Sequence, residues 1–269
     1  MKGFLKKMQY SSGDPLQVAI CFGNEEFNIN NNLGKNIAIK YSGVISCCYC
    51  RSQTKKSYGG GYCYRCYMSL AECDMCILKP ETCHRAAGTC RNNNWSDNNC
   101  MNSHIVYLAY TSEVKVGITR SQTGLPRWYD QGAICAMPLV TVPDRLSAGE
   151  FEIFLAKEFN DKTNWKKMLE NKVNIVTAKN ELYVAYKKAK DLISSWLLKH
   201  QFSRFNYNES INEFNYPMLP NVKLNLERIS LDKQKYVTGD LYGARGQYLL
   251  LSNGIINIRQ HAGYEVAIG

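Results

Sequence analysis

Cys47-Cys48-Tyr49-Cys50 is followed, after twelve intervening residues, by Cys63-Tyr64-Arg65-Cys66. Two cysteine pairs of this spacing bring four thiolates onto one tetrahedral ion, and zinc is the usual occupant of such a closed site. Tyr58-Gly59-Gly60-Gly61 lies between the pairs and reads as a tight hairpin. Cys47, Cys50, Cys63 and Cys66 are therefore the expected ligands, and Cys48 is out of register. Beyond them come Cys73-Asp74-Met75-Cys76, Cys83-His84, Cys90, Cys100 and His104. Four ligands close a zinc site, so this surplus implies a second site with spare residues, or a multinuclear cluster. Cys73 and Cys76 are expected to share a metal, with Cys83 and Cys90 as companions and Cys100 and His104 as the rival pair. At least two structural zinc ions are expected. All-thiolate sites suit iron as well, which keeps an iron–sulfur or redox-responsive interaction protein open as a further reading. The stretch has few core-forming residues and is expected to fold only around its metal.

Ten of the twelve cysteines fall between Cys47 and Cys100. The opening residues Met1–Met8 are charged and lead into no apolar run of signal-peptide length, and no stretch approaches the roughly 18 apolar residues of a membrane span. A cytoplasmic chain in a reducing compartment is expected, where clustered cysteines bind metal rather than form disulfides. Lysine plus arginine exceed aspartate plus glutamate by 33 to 23, a formal charge of +10. That excess points to a polyanionic partner, DNA or RNA first, with solubility as the plain alternative.

The elements that must carry these side chains fall into zones. Leu16–Phe22, Glu26–Ile29 and Lys35–Tyr41 are short and rich in β-branched or aromatic residues, which predicts strands. Ile105–Tyr110 and Val114–Thr119 predict a hairpin turning at Thr111-Ser112-Glu113. A helical stretch near Pro126–Asp130 and an apolar strand from Ala133 to Val142 follow. Ser147–Phe159 places Phe151, Phe154, Leu155 and Phe159 on one helical face, and Asn180–Lys199 does the same with Leu182, Tyr186, Ala189, Ile193 and Trp196. Strands return at the end, with Ser252-Asn253-Gly254 as a hairpin signal. The predicted fold class is α+β. Residues 1–46 and 222–269 form a terminal β module that pairs into a small barrel or sandwich, 47–104 a zinc-binding module, 105–206 an α/β domain and 207–221 a linker.

Two resemblances attach to these residues. The runs Gly61-Tyr-Cys-Tyr-Arg-Cys66, Cys73-Asp-Met-Cys76, Pro80-Glu-Thr-Cys-His84, Gly88-Thr-Cys-Arg91, Lys115-Val-Gly-Ile-Thr-Arg120, Asp161-Lys-Thr-Asn-Trp165 and Gly246-Gln-Tyr-Leu249 are similar to the bacterial domain-of-unknown-function 2797 family. More distantly, Ile105-Val106-Tyr107 with Lys115-Val116-Gly117-Ile118 resembles the paired motif of the GIY-YIG nucleases, over residues 104–200. The second resemblance implies a divalent-metal-dependent phosphodiesterase using Mg²⁺ or Mn²⁺. In that picture Tyr107 orients or deprotonates the attacking water, Arg127 stabilises charge at phosphorus, and a helical glutamate holds the metal. Of Glu150 and Glu152, the latter lies nearer the edge of the apolar stripe and is preferred. Arg120 is a candidate helper on nucleic acid. Trp128, beside Arg127, either stacks on bases or anchors its helix. The chain departs from the motif twice: Ile105 stands where it opens with glycine, and Lys115 where it has tyrosine. Lysine binds phosphate as a point charge, so a non-catalytic, zinc-dependent RNA- or DNA-binding protein is the alternative. The oligomeric state is not legible.

Overall fold

A computed structural model describes residues 1–23, 25–159, 162–170, 173–200 and 210–269, with backbone alone at Thr123 and at 197–200. The strands β1 (Lys2–Phe4), β2 (Gln9–Ser11), β3 (Gln17–Phe22), β4 (Glu25–Asn28) and β5 (Asn36–Ile45) come first. The cysteine-rich stretch holds α1 (Tyr64–Ser69) and α2 (Asn93–Asn99). Next are β6 (His104–Tyr110), β7 (Val114–Arg120), α3 (Gly124–Asp130), β8 (Cys135–Val142), α4 (Arg145–Ala156), α5 (Trp165–Glu170), α6 (Ile175–His200) and β9 (Asn212–Glu213). Last are β10 (Tyr236–Arg245), β11 (Tyr248–Leu251), β12 (Gly254–Asn257) and β13 (Tyr264–Ile268).

Two compact units emerge, Met1–Ser69 with Asn215–Gly269, and Leu70–Phe214. The first is built on an antiparallel sheet in the order β1-β13-β5-β10-β11-β12 and a smaller one in the order β2-β3-β4. Val18, Ile20 and Phe22 from the smaller sheet share one core with Ile37, Ile39, Val237, Leu249 and Val266 from the larger. The terminal strands do pair, as the sequence predicts, but the barrel does not form: both sheets remain open. The hairpin signal at Asn253-Gly254 is realised by β11 and β12, where Leu251 faces Gly254.

The cysteine-rich stretch is not a unit of its own. It divides between Ser69 and Leu70, so the first four predicted ligands belong with the terminal strands and the later ones with the α/β unit. The predicted linker begins at 207–209, outside the described residues, and its remainder is partly structured as β9.

In the second unit the sheet runs β7-β6-β8-β9. The paired strands β6 and β7 place Tyr107 directly opposite Gly117. Helices α4 and α6 cover this sheet through Phe151, Leu155, Leu182, Tyr186 and Ile193, the stripes legible in the sequence. Asp144 caps α4, its carboxylate accepting the Ser147 N–H at 2.8 Å. Gly149 lets α4 approach the turn Pro80–Thr82: a Cβ there would lie 2.5 Å from Pro80 Cβ and 2.6 Å from Glu81 N. Among the described residues no helix is long and apolar enough to cross a membrane.

Candidate metal centre and basic cleft

Where β5 ends, Ser46 bridges to Gln53, the Cys47 N–H donates to Ser52 O, and the Arg51 N–H donates back to Cys47 O. Arg51 takes a left-handed backbone, φ 63°, which closes this first knuckle. The second hairpin pairs Tyr58 with Tyr62 across the glycines and delivers Cys63 and then Cys66 on α1. Gly61 is required by space as well as by its φ of +129°, since a Cβ would sit 2.4 Å from Cys48 Sγ. The out-of-register Cys48 is thus packing beneath the hairpin.

The sulfurs of Cys47, Cys50, Cys63 and Cys66 all lie within 4.8 Å of one another. Cys50 Sγ is 3.7 Å from Cys63 Sγ. Four sulfurs about 2.3 Å from a zinc ion define a tetrahedron with edges of about 3.8 Å. The spacing therefore suits zinc. Serine 52 holds the Cys50 thiol down to about 6 through side-chain and backbone hydrogen bonds. Burial, then the neighbouring thiols of Cys63, Cys50 and Cys47, push Cys66 up to about 12. Crowded sulfurs raise one another's proton affinity, so a cation is what lets all four ionise together.

The later ligands separate into those that meet and those that do not. Cys76, Cys83, Cys90 and Cys100 line one small cavity together with Asp74 and His84. Cys73 and His104 are not part of its lining. His104 lies on β6, fully buried, with its Nδ1 against Asn102 O at 2.7 Å. Of the Cys73–Cys76 pair suggested by position along the chain, Cys76 lines the cavity.

In the same unit a cleft of about 500 Å³ opens between the turn at 77–81, strand β7, and helices α3 and α4. Lys115, Arg127 and Glu152 line it. So do Lys79, Glu81, Gln131, Arg145 and Lys162, which the sequence reading did not select. Cations outnumber carboxylates on its walls. Lys115 is only 6% exposed, on a strand flanked by Val114 and Val116. Arg145 donates from Nη2 to Ile77 O at 2.7 Å, while its buried Nε has no hydrogen-bond partner among the described residues.

Tyr107 does not reach the cleft surface. It is 0% exposed, and its hydroxyl donates to Gln131 Oε1 at 3.0 Å behind the cleft wall. Burial raises its pKa; Glu152 adds to the rise, while Arg127 and Gln131 oppose it. The hydroxyl is thus held in the wall, behind the surface at which a water would be oriented or deprotonated. Trp128 is 4% exposed, edge-on to Tyr107 at 5.6 Å and packed on Phe214, so it anchors α3 and presents no face to a base. Arg120 is exposed at the end of β7, where its Nη1 donates to Asn99 Oδ1 at 2.5 Å, away from the cleft lining. Glu150 points to solvent and Glu152 to the cleft.

A family model described as "Protein of unknown function (DUF2797)" matches residues 34–266. The chain belongs to that family. No curated protein and no solved structure matches it. The DUF2797 match runs through both units and so covers the four-cysteine cluster, the later cysteines and the cleft alike. Asp161, which opens the run Asp161–Trp165, lies outside the described residues.

Proposed function

We propose that this DUF2797 protein is a zinc-stabilised nucleic-acid-binding protein that grips a phosphodiester in the cleft of its 70–214 unit and hydrolyses it with a divalent ion. The observation that carries this reading is the convergence of Lys115, Arg127, Arg145 and Glu152 on one open cleft, from a strand and the two helices that follow it. Arginine and lysine together fit a phosphate: the fork binds two oxygens and the ammonium neutralises a third. The placement of Arg127 on the helix after the β6–β7 pair, and of Glu152 on the next, supports the GIY-YIG resemblance. Glu152, half-buried in a wall that also carries Glu81, is the residue to hold Mg²⁺ or Mn²⁺, which would draw charge from the phosphate oxygens. Tyr107 is a positioning residue. Its hydroxyl fixes Gln131 and Arg127 from behind, and the neutral phenol leaves proton removal to another base.

One specific pair of observations favours binding without cleavage: the sealed tyrosine and the lysine at position 115. A single experiment separates the two. Purified zinc-loaded protein is tested for binding and for cleavage of single- and double-stranded DNA and RNA, with and without Mg²⁺ or Mn²⁺. Binding should weaken linearly in log salt, and Arg127→Ala should lower that slope by about 1. Glu152→Ala should cut metal-dependent cleavage by roughly 10²–10³-fold while leaving binding nearly intact. Cleavage unaffected by Glu152→Ala and Arg127→Ala refutes the catalytic assignment; salt-dependent binding with no cleavage selects the alternative.

A further inference from the structure

Residues 70–103 fold with almost no apolar interior. Ala71, Pro80, Ser96 and Cys100 are the buried residues of the segment, and its local structure is three 3₁₀ turns and the seven-residue α2. Hydrophobic burial on that scale cannot order such a stretch, and cross-linking must replace it. Into this segment the fold brings four thiols from four different places. Cys76 lies in the turn Met75–Ile77, Cys83 caps the turn Pro80–Thr82, Cys90 precedes the Asn92 cap of α2, and Cys100 follows the end of that helix. They line one cavity of about 20 Å³, room for a single water-sized body.

Asp74, Cys76 and His84 have ligand atoms within 4.8 Å of one another and compete with the thiols, whose four sulfurs share the cavity without approaching that closely as a set. The first and last of these already have partners, each other among them. Asp74 Oδ2 accepts from Arg91 Nε at 2.8 Å and faces His84 Nε2 at 3.4 Å, while His84 Nδ1 contacts Thr89 Oγ1 at 2.8 Å. Asp74 thereby ties two loops together beside the cavity, and the sulfurs remain as its soft donor set.

We propose that Cys76, Cys83, Cys90 and Cys100 hold one zinc ion as a second four-thiolate site, and that this ion fixes the wall of the basic cleft. Cys76 and Cys83 flank residues 77–82, and Ile77, Lys79 and Glu81 from that segment line the cleft. Its far side is clamped by α4, through Gly149 against Pro80 and through Arg145 on Ile77 O. The ion supplies the near side. Cys73 and His104 have no part in the site. The zinc assignment stands independently of what the cleft binds.

The test is metal analysis of the full chain purified in reductant without chelator. Two zinc ions per chain are expected, two in Cys73→Ser, and one in the Cys83→Ser/Cys90→Ser variant, whose amide exchange across 77–82 should accelerate several-fold. One zinc in the wild type with no uptake of a second from a zinc buffer overturns the proposal. So does iron in place of zinc, or two zinc ions retained in the double variant. Should that variant not fold, cobalt titration of metal-depleted wild type gives the same answer: both equivalents should bring thiolate-to-cobalt charge-transfer absorption of equal strength. A second equivalent lacking it refutes the site. Loss of nucleic-acid binding with two zinc ions present would count against the cleft's proposed function alone.

Discussion

Gly117 faces Tyr107 across the β6–β7 pair, and a methyl group there would lie 2.7 Å from the phenol oxygen and 2.8 Å from Cζ. The ring cannot yield, because Trp128 packs edge-on against it and it has no exposed surface. Gly117→Ala should therefore destabilise the protein by about 1–3 kcal/mol, the usual cost of overpacking, read from the denaturant midpoint. Its effect should exceed that of Tyr107→Phe, which removes one hydrogen bond worth about 1 kcal/mol. Neither strain nor its relief is visible in residue types; the glycine reads as a motif letter until the opposing ring is placed. That Glu152 rather than Glu150 would face inward was legible because a helix turns 100° per residue and the apolar stripe fixes its phase. Arg145 and Gln131 were not. They enter the cleft through the end of one helix and the residue after another, where no periodicity marks a face.

The two knuckles are elements held by sulfur. Between residues 47 and 69 the buried residues are Cys47, Gly61 and Cys66, and none belongs to the core that β3, β5, β10 and β13 share. Chelating the metal should accordingly speed amide exchange across 47–69 while β10, β11 and β12 stay protected, since their hydrogen bonds close over Leu241, Leu249 and Ile256. Uniform loss of protection would show that the ion supports the whole unit. At this scale the sequence was most informative where a period exists. The β6–β7 hairpin turns at Thr111–Glu113 as predicted, and α4 and α6 bury the expected faces. The later cysteines lie on turns without a period, so their spacing along the chain did not reveal which of them meet.

Stability of the whole molecule carries a pH signature from its buried imidazoles. His261 accepts the Leu231 N–H at Nε2, 3.2 Å away, and its Nδ1 lies 2.9 Å from Asn257 O, an arrangement that uses the neutral ring. Burial lowers its pKa below 6.5, and burial does the same to His104. Between the folded pKa and 6.5 the unfolded chain binds more protons, so stability rises with pH through that window and levels off above about 6.5. Unfolding free energies from pH 5 to 8 in excess zinc should show this slope, and His261→Gln should flatten it. An unchanged slope would assign the effect elsewhere. The net charge of +10 does not show where positive charge gathers, which depends on folding that collects Lys79, Lys115, Arg127, Arg145 and Lys162 from separate elements onto one wall.

The split of the first unit between the two ends of the chain sets a timetable for synthesis. Residues 70–214 are contiguous and can settle as they leave the ribosome. Strand β5 emerges early, yet its partners β10 and β13 begin only at Tyr236 and Tyr264. Throughout that interval both of its backbone edges are open to any passing strand. The exposed Asn36, Lys40, Ser42 and Gly43 along it are the kind of residues that discourage wrong partners while the right ones are still being translated.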